Sequence, residues 1–469
     1  MPENMFDCNE PIPSPQPGGV ALRRIFDRRH FFGAAAAGLA VAAGGHTWSA
    51  EPQGPRRAPA APPAAPDENA CLNVRWFGAR GDGATDDTAA IQKALDAAGR
   101  QRGNVVLLPT GDYRVDGALR VPEGVTLQGV FRAPHRGASR QTAAPCGSRL
   151  LAVGGKGKPD GPALLSLHGN SALCGLTVFY PEQTCPAPPV EYPWTIRQMA
   201  SDVAVMNVLL LNPWRAVDCG TVTGGRHYIH GLYAQPLKTG LFIDQCYDIG
   251  RVQDVHFWPF WKINPKLQVY TSTEATAFLI GRTDWEYMFN CFAIFHQTGY
   301  HFVPTPSGQP NALLTQCGSD EGAPGTRSIS VRVDASQPYT GISFLNGQFF
   351  GAPAVRVAAG NSGPVKFTNC SFWGGPRTDA MAVLEGSGQT TFIGSHFRWT
   401  QRGGKARTIL ARRGGLAAEG CEFMDSGGCQ VALEGGVAAA VISGNRFHGP
   451  ARIRNRIGKK AQIGLNAFS

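Results

Sequence analysis

The chain has 469 residues, with 59 Gly, 35 Pro, 17% charged residues and a formal net charge of +10 at pH 7. No apolar run after residue 50 is long enough to cross a bilayer, which excludes a mature protein anchored by a membrane-spanning helix. Frequent turn residues with few charges favour a large, soluble, β-rich protein. The positive charge suits an acidic glycan partner, although solubility alone explains it equally well, and no feature indicates nucleic-acid binding.

The first fifty residues resemble an export signal. A basic segment, DRRHFFGAAAAGLAVAAGG, leads into an apolar stretch too short to span a membrane. Arg28 and Arg29, followed by Phe31 and Phe32, favour the twin-arginine type over an ordinary secretory signal. We therefore predict a signal over residues 1–50, a Pro/Ala linker over 51–69, a periplasmic or secreted location, and no membrane association after cleavage.

Export affects how the cysteines are interpreted. Removing Cys8 with the signal leaves eleven cysteines, so at least one should be unpaired where disulfides persist. None has zinc-site spacing, and we assign them no metal. Cys219 and Cys246 lie 27 residues apart, about one coil of the repeat described below. They could form either a disulfide or part of a ladder of buried thiols.

The mature chain opens with VRWFGARGDGATDDTAAIQKALDAA, which holds Asp82, Asp86 and Asp87 beside two glycines. VRWFGA is predicted to be a strand, and Thr85 or Asp86 to cap a helix over 88–98 with Asp86 and Asp87 in its first turn. The face formed by Ile91, Leu95 and Ala98 can cover the open end of a solenoid. The aspartates are therefore interpreted as structural.

Short β-rich units recur along the rest of the chain. From residue 340 the segments FLNGQF, FTNCSF, FIGSHF, AEGCEF, ISGNRF and GLNAF place phenylalanines at 349, 372, 397, 423, 447 and 468. A period near 24 residues with Gly or Asn at corners indicates a solenoid, in which each Phe stacks on its copy about 4.8 Å away. Less regular copies start by about residue 120, and the intervals 177–200 and 258–275 are predicted to be loops that wall a binding face.

These segments also carry a family resemblance. FGARGDGATDDTAAIQKALDAA, followed by NVVLLPTGDYRVDGALRVPEGVTLQG, resembles the N-terminal signature of pectate lyase-like proteins of the rhamnogalacturonase and epimerase type. The resemblance implies an all-β fold, a right-handed parallel β-helix of three sheets, with the helix capping its N-terminal end over a single domain, 70–469. It does not identify the activity, because the fold carries hydrolases, lyases, epimerases and noncatalytic spikes. The paired-aspartate, Gly-His-Gly and Arg-x-Lys motifs of polygalacturonases are missing, which argues against pectin hydrolysis.

The candidate site residues lie within 240–302, where carboxylates and aromatic residues are densest. Asp284 and Glu286, two apart on a predicted strand, should share the outer face about 6.6 Å apart and act as an acid and base, with Asp244 in reserve. Trp285 would then point inward, and Asp254 falls at a coil corner. Predicted to bind substrate are Trp258, Trp261, His256, Arg251, Arg282 and Asp248.

These residues support three functions. The first is a glycoside hydrolase that cleaves a polysaccharide through the Asp/Glu pair, with no metal or other cofactor. The second is a polysaccharide lyase in which Arg251, Arg282, Lys262 or His256 acts on a uronate polymer, with calcium as an optional cofactor. The third is a noncatalytic glycan-binding protein. The partner in each case is a polysaccharide, and a homo-oligomer stays open.

Overall fold

A computed structural model describes residues 71–469 except 102, 132–133, 135–146, 187, 376–377, 401–405, 426–427 and 450–451. The predicted signal and linker lie outside these described residues. Within the described part of the chain, no helix is long and apolar enough to cross a membrane.

The described chain winds through three ladders of parallel strands, here called sheets 1, 2 and 3. Between residues 105 and 455, each turn of the chain, or coil, contributes to all three, and some long strands bend from one sheet into the next. Sheet 1 comprises Leu72–Asn73, Val105–Leu107, Thr126–Gln128, Ala172–Cys174, Ala204–Leu210, Tyr228–Ala234, Cys246–Gln253, Thr283–Phe289, Ala312–Thr315, Ile342–Leu345, Val365–Thr368, Gln389–Ile393, the second parts of Arg407–Glu419 and Cys429–Ser443, and Ala461–Gly464.

Sheet 2 comprises Asp82–Asp86, Gly111–Val115, Ser148–Ala152, Thr177–Phe179, the ends of Ala204–Leu210 and Tyr228–Ala234, His256–Phe257, Phe292–Ala293, Gly318–Ser319, Gln348–Gly351, Ser371–Gly374, His396–Trp399, Glu422–Phe423, Arg446–Phe447 and Ala467–Phe468. Sheet 3 comprises Leu119–Val121, Leu165–Leu167, Trp194–Gln198, Arg215–Cys219, Thr239–Ile243, Thr276–Ile280, Thr298–Phe302, Ile329–Val333, Val355–Val357, Ala380–Leu384, the first parts of Arg407–Glu419 and Cys429–Ser443, and Arg452–Asn455.

This arrangement is a parallel β-helix, as predicted, and it encloses one continuous apolar core. Parallel strands joined by crossovers adopt the right-handed connection almost without exception. The coils begin earlier than expected, because Leu72 already pairs with Val106 of the next coil.

A left-handed backbone marks the corner between sheets 1 and 2. Asp254, Asn290, Asn346 and Asn369 occupy this corner in different coils, with φ between 52° and 56°. Asn and Asp tolerate this conformation better than other residues with a side chain, which explains the recurring Asn of the repeat. Asp254 therefore lies at a coil corner, as predicted.

The repeated phenylalanines stack inside the solenoid. The ring centroids of successive members, Phe349 to Phe468, are 5.6, 5.0, 4.9, 4.7 and 5.3 Å apart. These distances match the strand spacing, since each ring belongs to one rung of sheet 2. The predicted ladder is confirmed.

The helix ahead of the coils is also confirmed. Helix α1 spans Thr88–Arg100 and buries Ile91, Ala94, Leu95 and Ala98 against the first coils. The segment before it was predicted incorrectly, because Val74–Phe77 forms a 3-10 helix and not a strand.

The three aspartates accept hydrogen bonds from nearby backbone, but not as first-turn caps. Buried Asp87 accepts from the amides of Arg80 and Gly81 at 2.7 and 2.9 Å. Asp86 accepts from the amide of Thr88 at 3.0 Å. Hydrogen bonds from the backbone of Thr85 and Ala84 lower the pKa of Asp82 to about 2. The carboxylates therefore hold the loop closed before the helix begins.

Replacing Asp87 with Ala should lower the free energy of unfolding by about 1–3 kcal/mol, because two backbone amides lose their acceptor. Activity of the folded variant should be unchanged. Denaturant unfolding beside Asp160→Ala, whose side chain is 98% exposed, provides the comparison. A folded Asp87→Ala variant with full stability and no activity would contradict this structural role.

Candidate functional site

The strand Thr283–Phe289 faces the opposite way from the sequence-based prediction. Trp285, Tyr287 and Phe289 are 41%, 39% and 43% exposed, whereas Glu286 is fully buried. The prediction that Asp284 and Glu286 share an outer face is therefore wrong. Glu286 can lie in the interior because its carboxylate contacts the buried ring of His227, with 3.1 Å between Oε1 of Glu286 and Nε2 of His227.

Asp284 and Arg282 form an ion pair beside the turn into sheet 1. Oδ1 of Asp284 lies 2.7 Å from Nη2 of Arg282, and Oδ2 accepts from the amide of Asp248 at 3.2 Å. The guanidinium of Arg282 stacks 3.8 Å from the ring centroid of Tyr247. Asp248 has φ 67° and lies 3.6 Å from the guanidinium of Arg226. Asp284, Arg282 and Asp248 thus already have protein partners for their charged groups.

Asp244 is a buried acceptor within the turn. Its Oδ1 accepts from the amide of Arg282 at 2.7 Å and from the hydroxyl of Thr305 at 2.9 Å. At 6% exposure, this carboxylate has little access to a polymer. Its geometry is that of a group that holds the turn in place.

A cleft of about 610 Å³ opens at the corner between sheets 1 and 2. It includes His256 and Trp258, two of the predicted substrate-binding residues, whose ring centroids are 5.8 Å apart. Burial lowers the pKa of His256, which favours its neutral form. The lining residues are Asn207, His230, Gly231, Tyr233, Asp254, Val255, His256, Trp258, Asn290 and Phe292.

The other predicted residues of this region lie elsewhere. Trp261 is 4% exposed and packs in the core, which corrects its expected place on a sugar platform. The ammonium of Lys262 lies 5.1 Å from the Trp261 ring centroid. The expected loop 258–275 contains helix α2, Pro265–Glu274. The interval 177–200 contains two strands, and none of its described residues lines this cleft.

A histidine–carboxylate pair lies in the cleft. Nε2 of His230 is 3.1 Å from Oδ2 of Asp254, and the side-chain amide of Asn290 donates through Nδ2 to Oδ1 of Asp254 at 2.6 Å. Asp254 therefore places a carboxylate directly beside the imidazole of His230. The Tyr228 ring lies parallel to His230, with centroids 5.8 Å apart.

Next to the cleft, side chains of three successive coils form a grid on the outer face of sheet 1. Tyr228, Arg251 and Tyr287 are register partners, so Arg251 lies between two tyrosines at a strand spacing of about 4.8 Å. Two residues further along each strand, on the same face, His230, Gln253 and Phe289 form a second row. No ion-pair partner for the exposed Arg251 occurs among the described residues. The face thus presents a base, a free cation and several rings together.

Comparisons with known proteins are consistent with this architecture. Residues 71–140 match the family model described as rhamnogalacturonase A/epimerase, pectate lyase-like. The N-terminal fragment of bacteriophage Phi29 gene product 12 covers 85% of this chain, and 70% of the fragment is covered, at a TM-score of 0.54 and 11% identity. The solved structure shows that the fold is a parallel β-helix, and the similarity to the rhamnogalacturonase A/epimerase, pectate lyase-like model is confined to residues 71–140.

Short matches link the chain to two curated proteins of Azotobacter vinelandii. Alginate lyase 7 is 53% identical over 55 residues, which is 12% of this chain and 6% of that protein. Mannuronan C5-epimerase AlgE3 is 53% identical over 65 residues, 12% of this chain and 4% of that protein. The chain thus spans well under a tenth of the length of either relative.

Four residues of this region were not among the site residues predicted from the sequence: His230, Tyr228, Tyr233 and Tyr287. A signal for them was present, because HYIHGLY and GRVQDVHF align through Gly231 and Asp254 at the same corner. That alignment places His230 beside Gln253, and Tyr228 beside Arg251, on the outer face.

Proposed function

We propose that the protein is an enzyme that cleaves a uronate-containing polysaccharide by β-elimination on the outer face of sheet 1. The observation that carries this proposal is the His230–Asp254 pair beside the unpaired cation of Arg251. A base and a carboxylate-binding cation are the two groups that abstraction of a proton next to a uronate carboxylate requires.

The cleft suits hydrolysis less well. A glycosidase needs two carboxyl groups about 5–9.5 Å apart beside the scissile bond. Asp254 is the one carboxylate among the described residues lining the cleft, and both its oxygens have partners. Glu286 lies behind the sheet, and Asp284 is paired with Arg282. Elimination, the second function considered above, therefore replaces hydrolysis as our proposal.

In the proposed reaction, Nδ1 of His230 takes the proton from C5 of the uronate. Arg251 binds the carboxylate and stabilises the negative charge that spreads onto it. The C5–H electron pair forms a C4–C5 double bond, the C4–O bond breaks, and the leaving oxygen takes up a proton. Tyr228 and Tyr287 flank Arg251 and are the nearest candidates to donate that proton.

Calcium, the optional cofactor of a lyase, fits these residues poorly. The ion prefers six to eight oxygen ligands, including several carboxylates. The cleft offers Asp254, already engaged, together with the amides of Asn207 and Asn290. Arg251 can neutralise the uronate without it.

The relatives support the substrate class. One is an alginate lyase and the other a mannuronan C5-epimerase, and C5 is the carbon at which the proposed abstraction occurs. Polymers of this kind lie outside the cytoplasm, which agrees with the export signal that we propose for residues 1–50.

Incubation of the protein with a panel of neutral and acidic polysaccharides tests this function. New reducing ends together with ultraviolet absorbance of unsaturated uronates, on uronate polymers alone, is the expected result. Reducing ends without that absorbance would indicate a hydrolase. Neither signal across the panel would favour the noncatalytic glycan-binding alternative.

Arg251→Gln should lower kcat/KM on a uronate polymer by about 10–150-fold, the equivalent of losing one hydrogen-bonded charge. Lys366→Gln is the matched control, because Lys366 is exposed in the same row of sheet 1, several coils away. Initial rates by ultraviolet absorbance give the comparison. Equal losses in both variants would mean that Arg251 acts only through general surface charge.

A further inference from the structure

A polar row crosses the apolar interior directly behind the proposed active face. The register of sheet 1 aligns His227, Gly250 and Glu286 in three successive coils, one residue before Tyr228, Arg251 and Tyr287 respectively. Gly250 leaves a gap in the middle of the row. A Cβ there would lie 2.1 Å from Oε2 of Glu286 and 2.6 Å from Nε2 of His227. Two side chains two coils apart therefore meet through this gap.

Three different donor atoms converge at this point. Oε1 of Glu286 lies 3.1 Å from Nε2 of His227, and Sγ of Cys246 lies 4.0 Å from Nδ1 of the same ring. One ligand atom from each residue fits within 4.8 Å of the others. His227 and Glu286 are fully buried and Cys246 is 1% exposed.

One polar atom of the cluster lacks a hydrogen bond. Oε2 of Glu286 is buried and has no hydrogen-bond partner among the described residues. Cys246 and Cys219 are both free, buried thiols, which is the second of the two arrangements considered for them. A buried carboxylate oxygen without a partner carries a free-energy cost that a bound cation would remove.

We propose that His227, Cys246 and Glu286 form a buried binding site for a zinc-class divalent metal ion. Imidazole nitrogen, thiolate sulfur and carboxylate oxygen are the donors that zinc selects, whereas calcium and magnesium prefer oxygen alone. Zinc–ligand bonds of about 2.0–2.3 Å place neighbouring donors roughly 3.3–3.6 Å apart, so an ion held by one nitrogen of His227 would draw together three donors that already lie within 4.8 Å of one another. The second oxygen of Glu286 supplies a fourth bond.

Such an ion would link three coils behind Tyr228, Arg251 and Tyr287. A site without a solvent-facing position is structural, and its ligands must lose their protons when the metal binds. Burial opposes charging of His227, but Glu286 and Cys246 raise its pKa to about 10. In the metal-free cluster Nε2 of His227 contacts Oε1 of Glu286 at 3.1 Å, and the ion would take the place of this contact. The proposal does not depend on the β-elimination activity.

Metal analysis of the untagged full chain tests the site. Protein produced with zinc and dialysed against a weak chelator should retain about one zinc ion per chain. Protein refolded with Co²⁺ should show the visible and near-ultraviolet bands of a cobalt–thiolate centre. Cys246→Ser and Glu286→Gln should lose most of the zinc and the thiolate band.

Cys370→Ser is the matched control, because Cys370 is another buried thiol, remote from the cluster. It should keep both the zinc and the cobalt spectrum. Far-ultraviolet circular dichroism identifies any variant that fails to fold, and the wild-type measurement is decisive in that case. Wild-type protein with neither bound zinc nor a cobalt–thiolate spectrum would overturn the proposal. So would folded Cys246→Ser and Glu286→Gln variants that retain the metal.

Discussion

His230→Gln should reduce turnover of a uronate polymer by about 10²–10⁴-fold, the usual contribution of a general base. The substitution keeps a polar side chain in the cleft but removes the imidazole whose Nε2 lies 3.1 Å from Oδ2 of Asp254. Stability should change little, since His230 is half-exposed on the outer face. Steady-state rates by ultraviolet absorbance, with KM determined separately, measure the effect.

His396→Gln is the matched control for this prediction. His396 is also a partly exposed histidine paired with a carboxylate, with 3.3 Å between Nδ1 and Oε2 of Glu422, but it belongs to sheet 2 and not to the cleft. The control should keep wild-type turnover. Full activity in His230→Gln together with an inactive His256→Gln would transfer the role of base to His256.

Gly250→Ala should destabilise the fold by about 3–5 kcal/mol, the cost of disrupting a buried ion pair. The added methyl group would occupy the gap through which His227 and Glu286 make contact. Among the described residues, Cys246 is the one other side chain recorded as a partner of the His227–Glu286 pair. The midpoint of denaturant unfolding measures the loss.

Gly464→Ala is a suitable control, because a Cβ at Gly464 has nothing within 4 Å. Its stability should stay within about 0.5 kcal/mol of wild type, as for most surface substitutions. If Gly250→Ala is as stable as this control, the row tolerates a side chain and our account of its packing is incorrect.

The fold was largely predictable from the sequence because its signals are local and repeated. The phenylalanine at each rung of sheet 2, the Asn at the corner and the apolar face of helix α1 each reflect one position in a coil. Helix α2 was not predicted because it has no apolar stripe. Its N-terminus is capped by Asn264, whose side chain accepts hydrogen bonds from the backbone amides of Lys266 and Leu267.

The orientation of Glu286 could not be predicted from its own strand. Alternation shows that Glu286 and Trp285 face opposite ways, but not which of them faces inward. The outcome depends on Gly250 and His227, which lie 36 and 59 residues away in the chain and meet Glu286 only through the register of the coils. A narrow apolar interior excludes a carboxylate that lacks a compensating partner, and His227 is that partner for Glu286.

The pairing of His230 with Asp254 was not predicted, for a related reason. His230 and Asp254 come from neighbouring coils, 24 residues apart, and Arg251 joins them only when the repeats are placed in register. The density of carboxylates within 240–302 instead predicted that Asp244, Asp248 and Asp284 belong to the site. These groups accept hydrogen bonds or form ion pairs at the turn before sheet 1.

Mass spectrometry of digestion products made in heavy-oxygen water tests β-elimination most directly. Elimination breaks the C4–O bond without consuming water, so we predict unsaturated uronate products that contain no solvent oxygen at the new ends immediately after cleavage. The same products should be absent with His230→Gln. Saturated products that carry one solvent oxygen per cleaved bond would contradict the account and establish hydrolysis.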